Sequence, residues 1–180
     1  KQKAEGVLDK AYEIREELKQ RGFRVKVDDT DKSPGFKFAE TEMRGVPFRV
    51  EIGPKDIEEG KCVIARRDNG EKFECPISEI SAKIAELIPV VQHDMFEAAK
   101  ARRDSQTYQA TSWDEFKKIF EEKTGFVKAM WCGDVECENK IKEELAVTSR
   151  CMPFKQETIS DKCVCCGKPA TKMVYWGKAY

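Results

Sequence analysis

Trp131-Cys132-Gly133-Asp134-Val135-Glu136-Cys137 and, after a further 25 residues, Cys163-Val164-Cys165-Cys166-Gly167 decide how the second half of this 180-residue chain is read. They set four cysteines as C-x4-C and C-x2-C: Cys132 with Cys137, and Cys163 with Cys166. Tetrahedral zinc takes four thiolates at about 2.3 Å, and two short-spaced pairs present them with little backbone strain. Gly167, directly after Cys166, fits the pattern: a loop that wraps amides around a thiolate often needs positive φ, which Gly adopts without steric cost. A site closed by four protein ligands builds structure and leaves no position for substrate. Disulfides or free buried thiols are the alternatives, and Cys165 competes with Cys166. The two-residue gap ending in Cys-Gly makes the better knuckle, so Cys165 and Cys151 are expected outside the ligand shell.

Working outward, 33 basic and 33 acidic residues balance, and 40% of the chain is hydrophobic, which describes a folded chain with a heavily solvated surface. No apolar stretch is long enough for a membrane span, and Lys-Gln-Lys-Ala-Glu-Gly at the start is no signal peptide. A cytoplasmic setting follows as the expectation, in which eight cysteines serve as thiols and metal ligands. Zero net charge denies the basic signature of many nucleic-acid binders, yet single-stranded loops are read by a few well-placed groups.

The first half reads as α/β. Ala4, Val7, Leu8, Ala11, Ile14 and Leu18 form one apolar helical stripe that Gly22 stops. Phe23, Val25 and Val27 alternate with charge as a half-buried strand would, and residues 28–35 form a loop. Phe48, Val50 and Ile52 alternate with Arg49 and Glu51, so a second strand shows its charges on one face. Gly53-Pro54-Lys55-Asp56 reads as a turn. Residues 62–66 and 72–75 pair as a hairpin around Asp68-Asn69-Gly70, with Asn-Gly supplying positive φ. Ser78 can cap a helix carrying Ile80, Ile84, Leu87 and Ile88, which Pro89 interrupts before a second helix runs to about Arg103. Polar residues 104–112 mark a boundary, giving domains 1–104 and 105–180. Beyond it come a helix opened by a Ser112/Glu115 capping box, a strand 126–131, a helix 134–145, a strand 146–154 and a last strand 172–176. Such a small second domain is completed by its metal.

Catalytic patterns are missing: there is no P-loop, Gly-x-Ser-x-Gly or Gly-x-Gly-x-x-Gly. His93, the one histidine, reads as a solvated helical residue, Cys62 and Cys75 as core thiols, and Glu13, Glu16 and Glu17 as a wet face. The other dense constellation lies between Phe36 and Lys72. Glu42, Arg49, Glu51, Lys55, Asp56, Arg66, Arg67 and Lys72 gather around two strands and their turns, with Phe36 and Phe38 nearby. Lys and Arg donate to guanine O6 and N7, carboxylates accept from guanine N1–H and N2–H2, and aromatics stack on splayed bases. An ordinary charged sheet surface would read the same way.

Pro34-Gly-Phe-Lys-Phe-Ala-Glu-Thr-Glu-Met-Arg-Gly-Val-Pro-Phe-Arg-Val-Glu-Ile-Gly-Pro-Lys-Asp56, with Ala65-Arg-Arg-Asp-Asn-Gly-Glu-Lys72, closely resembles prolyl-tRNA synthetases of the archaeal and eukaryotic type. The C-x4-C…C-x2-C spacing and the aromatic tail Tyr175-Trp-Gly-Lys-Ala-Tyr180 extend the resemblance over the whole chain. It implies a class II anticodon-binding domain, a mixed sheet with flanking helices, followed by a small α/β zinc-binding domain. By the same resemblance, Glu42, Arg49, Lys55, Asp56 and Lys72 read the two guanines shared by proline anticodons, and Phe38 stacks. Thr41 departs from the family, which often has a large aromatic there. No class II motif for ATP or proline is present, and the strand that usually precedes the first helix is missing. The chain is thus expected to be the C-terminal part of a longer proline–tRNA ligase, inactive alone. The whole enzyme, a homodimer, would use ATP and magnesium in its catalytic domain, with proline tRNA as partner. The competing expectation is a free-standing zinc-stabilised module that binds RNA or protein.

Overall fold

The computed structural model describes residues 2–178, with side chains from residue 6 onward. Ala4 of the apolar stripe, and Ala179 and Tyr180 of the aromatic tail, lie outside the described side chains. The chain forms two compact units, one ending at Phe96 and the other beginning at Glu97. The boundary expected after residue 104 lies at the end of the helix Ile80–Ser105.

In the first unit the order is α1 (Gln2–Gln20), α2 (Pro34–Met43), β1 (Phe48–Glu51), α3 (Pro54–Glu58), β2 (Lys61–Arg66), β3 (Lys72–Pro76) and α4 (Ile80–Ser105). The strands form an antiparallel sheet in the order β1-β2-β3. Because side chains alternate across a strand, Cys62, Ile64 and Cys75 share one face and pack against Ile14 and Leu18 of α1 and Ile80, Ile84 and Leu87 of α4. The pairings Arg49↔Ala65↔Lys72 and Glu51↔Val63↔Glu74 run in two rows across the opposite face. That alternation lifts the charged residues out of the core.

Several local expectations change. Residues 23–27 pair with no strand, although Phe23 and Val25 do pack on the core cluster; burying alternate side chains needs no hydrogen-bonded ladder. Residues 34–43, read only as following a loop, are helical, with Ser33 at the N-cap and Pro34 in the first turn, where a missing N–H costs nothing. The Gly-Pro-Lys-Asp turn winds into α3, and Asp56 accepts from the Gly53 N–H at 2.7 Å as its cap. In the hairpin Gly70 has φ of 75°, but Asn69 does not share it; the loop spans five residues, closed by Gly70 N–H to Arg66 O (3.1 Å) and Arg66 N–H to Glu71 O (2.8 Å). Pro89 sits inside α4 without ending it. It and Ala85, the residue whose carbonyl loses its helical partner to the missing N–H, are both exposed. The 3-10 turn Ile77–Glu79 leads into α4, in place of a Ser78 cap. Glu17 is not simply solvated: its carboxylate accepts from the Ser81 hydroxyl at 2.6 Å.

The second unit contains β4 (Thr107–Gln109), α5 (Trp113–Glu122), β5 (Phe126–Trp131), α6 (Val135–Leu145), β6 (Val147–Cys151) and β7 (Lys172–Lys178). The sheet order is β4-β5-β7-β6; β4 runs parallel to β5 and the other pairs are antiparallel. Phe116 and Phe120 of α5 and Ile141 of α6 cover Val127, Ala129, Val147, Val174 and Trp176. β4 arises where a polar linker was expected, anchored by the Phe126 N–H donating to Gln106 O at 2.8 Å. Ser112 caps α5 through the Glu115 N–H (3.3 Å), while the Glu115 carboxylate reaches the Thr111 N–H (2.9 Å) instead of closing the reciprocal box. Ala146 is not in a strand: it ends α6 in the left-handed region, with φ of 55°.

Candidate metal centre and nucleic-acid interface

The loop after β5 brings Cys132 to the mouth of the second sheet. There Gly133 takes φ of 91° and the Asp134 carboxylate caps α6 through the Glu136 N–H (3.0 Å), setting Cys137 in the first turn of the helix. The other pair sits on a tight hairpin. Gly167, at φ of 71°, donates its N–H to Cys163 O (2.9 Å), and the Cys163 N–H donates to Lys168 O (2.7 Å). The Val164 N–H then ties this loop to Met130 O of β5 (2.9 Å). The Cys132, Cys137, Cys163 and Cys166 sulfurs all lie within 4.8 Å of one another, with Cys132 Sγ 3.7 Å from Cys137 Sγ and 3.8 Å from Cys166 Sγ. Ligands about 2.3 Å from a tetrahedral zinc stand about 3.8 Å apart, so the donor set and its spacing fit such an ion. Burial pushes the Cys132 and Cys137 thiols up. At Cys166 burial also acts upward, but the Lys168 N–H and the neighbouring thiols bring the thiol below its ordinary value. The ammonium of Lys168, raised by Asp134 and then by Cys166, adds positive charge beside sulfurs that would be anionic around a metal.

The remaining cysteines are not among these four, although Cys165 packs beside Cys137 and Cys163. Cys165 packs against the apolar clusters and Cys151 is exposed on β6. Cys62 and Cys75 face each other across β2 and β3 in the first core. Burial, reinforced by Cys75, pushes the Cys62 thiol up to about 12, which keeps it protonated at neutral pH. His93 is exposed on α4.

On the open face of the first sheet, Arg49 is the hub. Its guanidinium lies 4.0 Å from the Phe38 ring centroid, bonds the Glu42 carboxylate at 3.0 Å and bonds Glu51 at 3.0 Å. Lys72 Nζ stands 2.9 Å from Glu51 and 5.2 Å from the same Phe38 ring. Phe38, Glu42, Arg49 and Lys72 are therefore gathered by α2, β1 and β3 into one patch, and Glu42, Arg49 and Lys72 line a small open cavity of about 60 Å³ together with Thr41 and Arg67. Thr41 donates its hydroxyl to Phe38 O (2.8 Å), so it turns back on its own helix. Lys55 and Asp56 are on α3, and one Asp56 oxygen is engaged as the cap.

Two arginines of the constellation serve other ends. Arg66, only 7% exposed, bonds Asp68 (2.6 Å) and Asp94 of α4 (2.7 Å), and so straps the hairpin to the helix. Arg67 donates to the Glu42 carbonyl (2.8 Å), joining the hairpin to α2. Neither link had a local signal, since the partners lie 28 and 25 residues away. The bridging place of Glu51 was legible in part, because Arg49 and Glu51 are two apart on a strand and share a face.

Comparison with known proteins places both halves. Residues 1–87 match the family model described as the anticodon binding domain, and residues 113–180 match that described as prolyl-tRNA synthetase, C-terminal. The first half is thus an anticodon-binding domain of the aminoacyl-tRNA synthetase kind, followed by a C-terminal domain of the same enzymes. The chain is 60% identical over 179 residues to a proline–tRNA ligase of Lachnospira eligens, 59% over 179 residues to one of Lachnoclostridium phytofermentans, and 58% over 180 residues to one of Agathobacter rectalis. Each alignment covers 99% of this chain and 37% of the relative. The chain belongs to the proline–tRNA ligase family, of which it is the anticodon-binding and C-terminal region.

Proposed function

We propose that this chain reads the anticodon of proline tRNA for a ligase that joins proline to that tRNA with ATP and magnesium. The observation that carries the reading is the patch around Phe38, where Arg49 and Lys72 offer donors and Glu42 offers an acceptor. Guanine needs both kinds of partner: donors for O6 and N7, and an acceptor for N1–H and N2–H2. Phe38 supplies a stacking face, and Lys55 and Asp56 complete the set by resemblance, Asp56 with the carboxylate oxygen that its cap leaves over. We assign a structural zinc to Cys132, Cys137, Cys163 and Cys166. Bound there, it would cross-link the two loops and do no chemistry on substrate. The catalytic domain, the homodimer and the cytoplasmic setting rest on the family; no helix among the described residues is long and apolar enough to cross a membrane.

The test compares proline tRNA with variants whose anticodon guanines are adenines, bound to the full-length ligase at fixed salt, since phosphate contacts vary steeply with ionic strength. Glu42→Ala should lose preference for guanine by about 1–3 kcal/mol, because adenine lacks both donors a carboxylate would meet. Equal weakening of both RNAs would show Glu42 to be structural and overturn the assignment.

A further inference from the structure

We propose that Glu51 is the positioning residue of the guanine-reading patch: one carboxylate oxygen that holds Arg49 and Lys72 together over the same aromatic ring. This deepens the anticodon reading and rests on it. Arg49 Nε and Nη2 each lie 3.0 Å from Glu51 Oε1, and Lys72 Nζ lies 2.9 Å from that same atom. Both cations also approach one ring, at 4.0 and 5.2 Å from the Phe38 centroid. Two like charges brought this close repel unless a counter-charge lies between them. Glu51 is that counter-charge. Its side chain is 22% exposed and that of Arg49 is 15%, against 47% for Lys72 and 58% for Glu42. Glu42 and Lys72 thus face outward toward a ligand, while Glu51 lies beneath them, turned to its neighbours.

The register explains why position 51 does this. Arg49 and Glu51 are two residues apart on β1, and Arg49 and Lys72 both oppose Ala65 of β2 from either side. The small Ala65 between them leaves room for the two long side chains to converge on Glu51. A carboxylate on the neighbouring row is then the nearest anionic group that reaches both.

Glu51→Gln keeps the shape and removes the charge, so it separates positioning from simple electrostatics. In the full-length ligase its preference for guanine over adenine anticodons should fall about tenfold. Affinity for the adenine RNA should hold or rise, with a salt dependence steeper by about one, because one net positive charge is gained. A merely structural role would weaken both RNAs alike, and a merely electrostatic one would strengthen both alike; either result overturns the inference, as does an unchanged preference. Glu42→Ala, measured alongside, keeps the two readings apart. If it abolishes the preference and Glu51→Gln does not, the inference fails and the anticodon reading stands. If the wild-type ligase has no preference, both fall. Should Glu51→Gln not fold, Glu51→Asp carries the test, since a shortened carboxylate cannot span both cations and preference should again drop.

Discussion

Five cysteines in the second unit lie within a few residues of one another in sequence or space, and their different surroundings set what each substitution should do. Cys163 is buried in the four-cysteine cluster, whereas Cys165, two residues on, is half-buried beside it and against the apolar side chains of the sheet core. Cys163→Ser should therefore lose bound zinc, while Cys165→Ser should keep it; elemental analysis of the two purified variants decides. Full zinc in the first or none in the second would reassign the ligands. Asp56 offers a similar contrast on the RNA side. Its bond to the Gly53 N–H makes it a helix cap, so Asp56→Ala should cost about 1 kcal/mol of stability in denaturant unfolding. A loss of guanine preference on top of that would mark its free oxygen as a reader, and unchanged stability would refute the cap. None of this was visible in the string Gly-Pro-Lys-Asp, which reads equally well as a turn.

Between residues and molecule stand the elements, whose ends hold the strain. Ala146 closes α6 with φ of 55°, a conformation that costs an L-residue with a Cβ about 1–2 kcal/mol. Ala146→Gly should relieve it and raise stability by about 0.5–1 kcal/mol after the greater freedom of Gly in the unfolded chain is counted. Gly125 is the reverse case. A Cβ there would stand 2.1 Å from the Gln106 carbonyl oxygen, at φ of 128°, in the segment that pairs β4 with β5. Gly125→Ala should lower stability by about 2 kcal/mol or more. Thermal unfolding of both variants checks the pair, and a shift of the opposite sign in either would refute the strain assigned to it. The helices and strands with strong periodicity were legible, as α1, β1, β5 and α6 attest. The short elements were not: β4 is three residues of polar sequence, and only its parallel pairing with β5 makes it a strand.

For the whole molecule, two units with separate cores should respond separately. Structural zinc supplies on the order of 10 kcal/mol of apparent folding free energy in small domains. Removing it with a chelator should open the amides of Met130 and Val164 to hydrogen exchange while those of Ile64 and Cys62 in the first core stay protected. Equal loss of protection in both units would contradict this. Acid should act on both: protonated thiols would give up a zinc in the second unit, and a paired carboxyl would lose its bond in the first. Hydrogen bonding from Arg66 holds the Asp68 carboxyl below its ordinary value, so the Arg66–Asp68 pair within the hairpin contributes stability above about pH 4 and loses it as pH falls through the lowered value. Asp68→Asn should be about 1–3 kcal/mol less stable at neutral pH and should converge with the wild type once the pH has fallen through that lowered value. Parallel curves down to that pH would show the pair to be without weight.

By itself the sequence determined the family, the α/β class, the long elements and the four cysteines that the fold brings together, because each is written in local spacing: period 3.6, period 2, and two short cysteine gaps. It also named Glu42, Arg49 and Lys72 as chemically suited to guanine. Only the tertiary structure decided which charges act together. Arg66 and Asp94, Arg67 and the Glu42 carbonyl, and Lys72 and Glu51 are joined across 28, 25 and 21 residues. Such pairings depend on sheet register and helix placement, which no local pattern encodes. Solvation decided the rest: Arg66, 7% exposed, is closed in between Asp68 and Asp94 as a strap, while Arg49, held by Glu42 and Glu51, lies beside the Phe38 ring on the open face of the sheet.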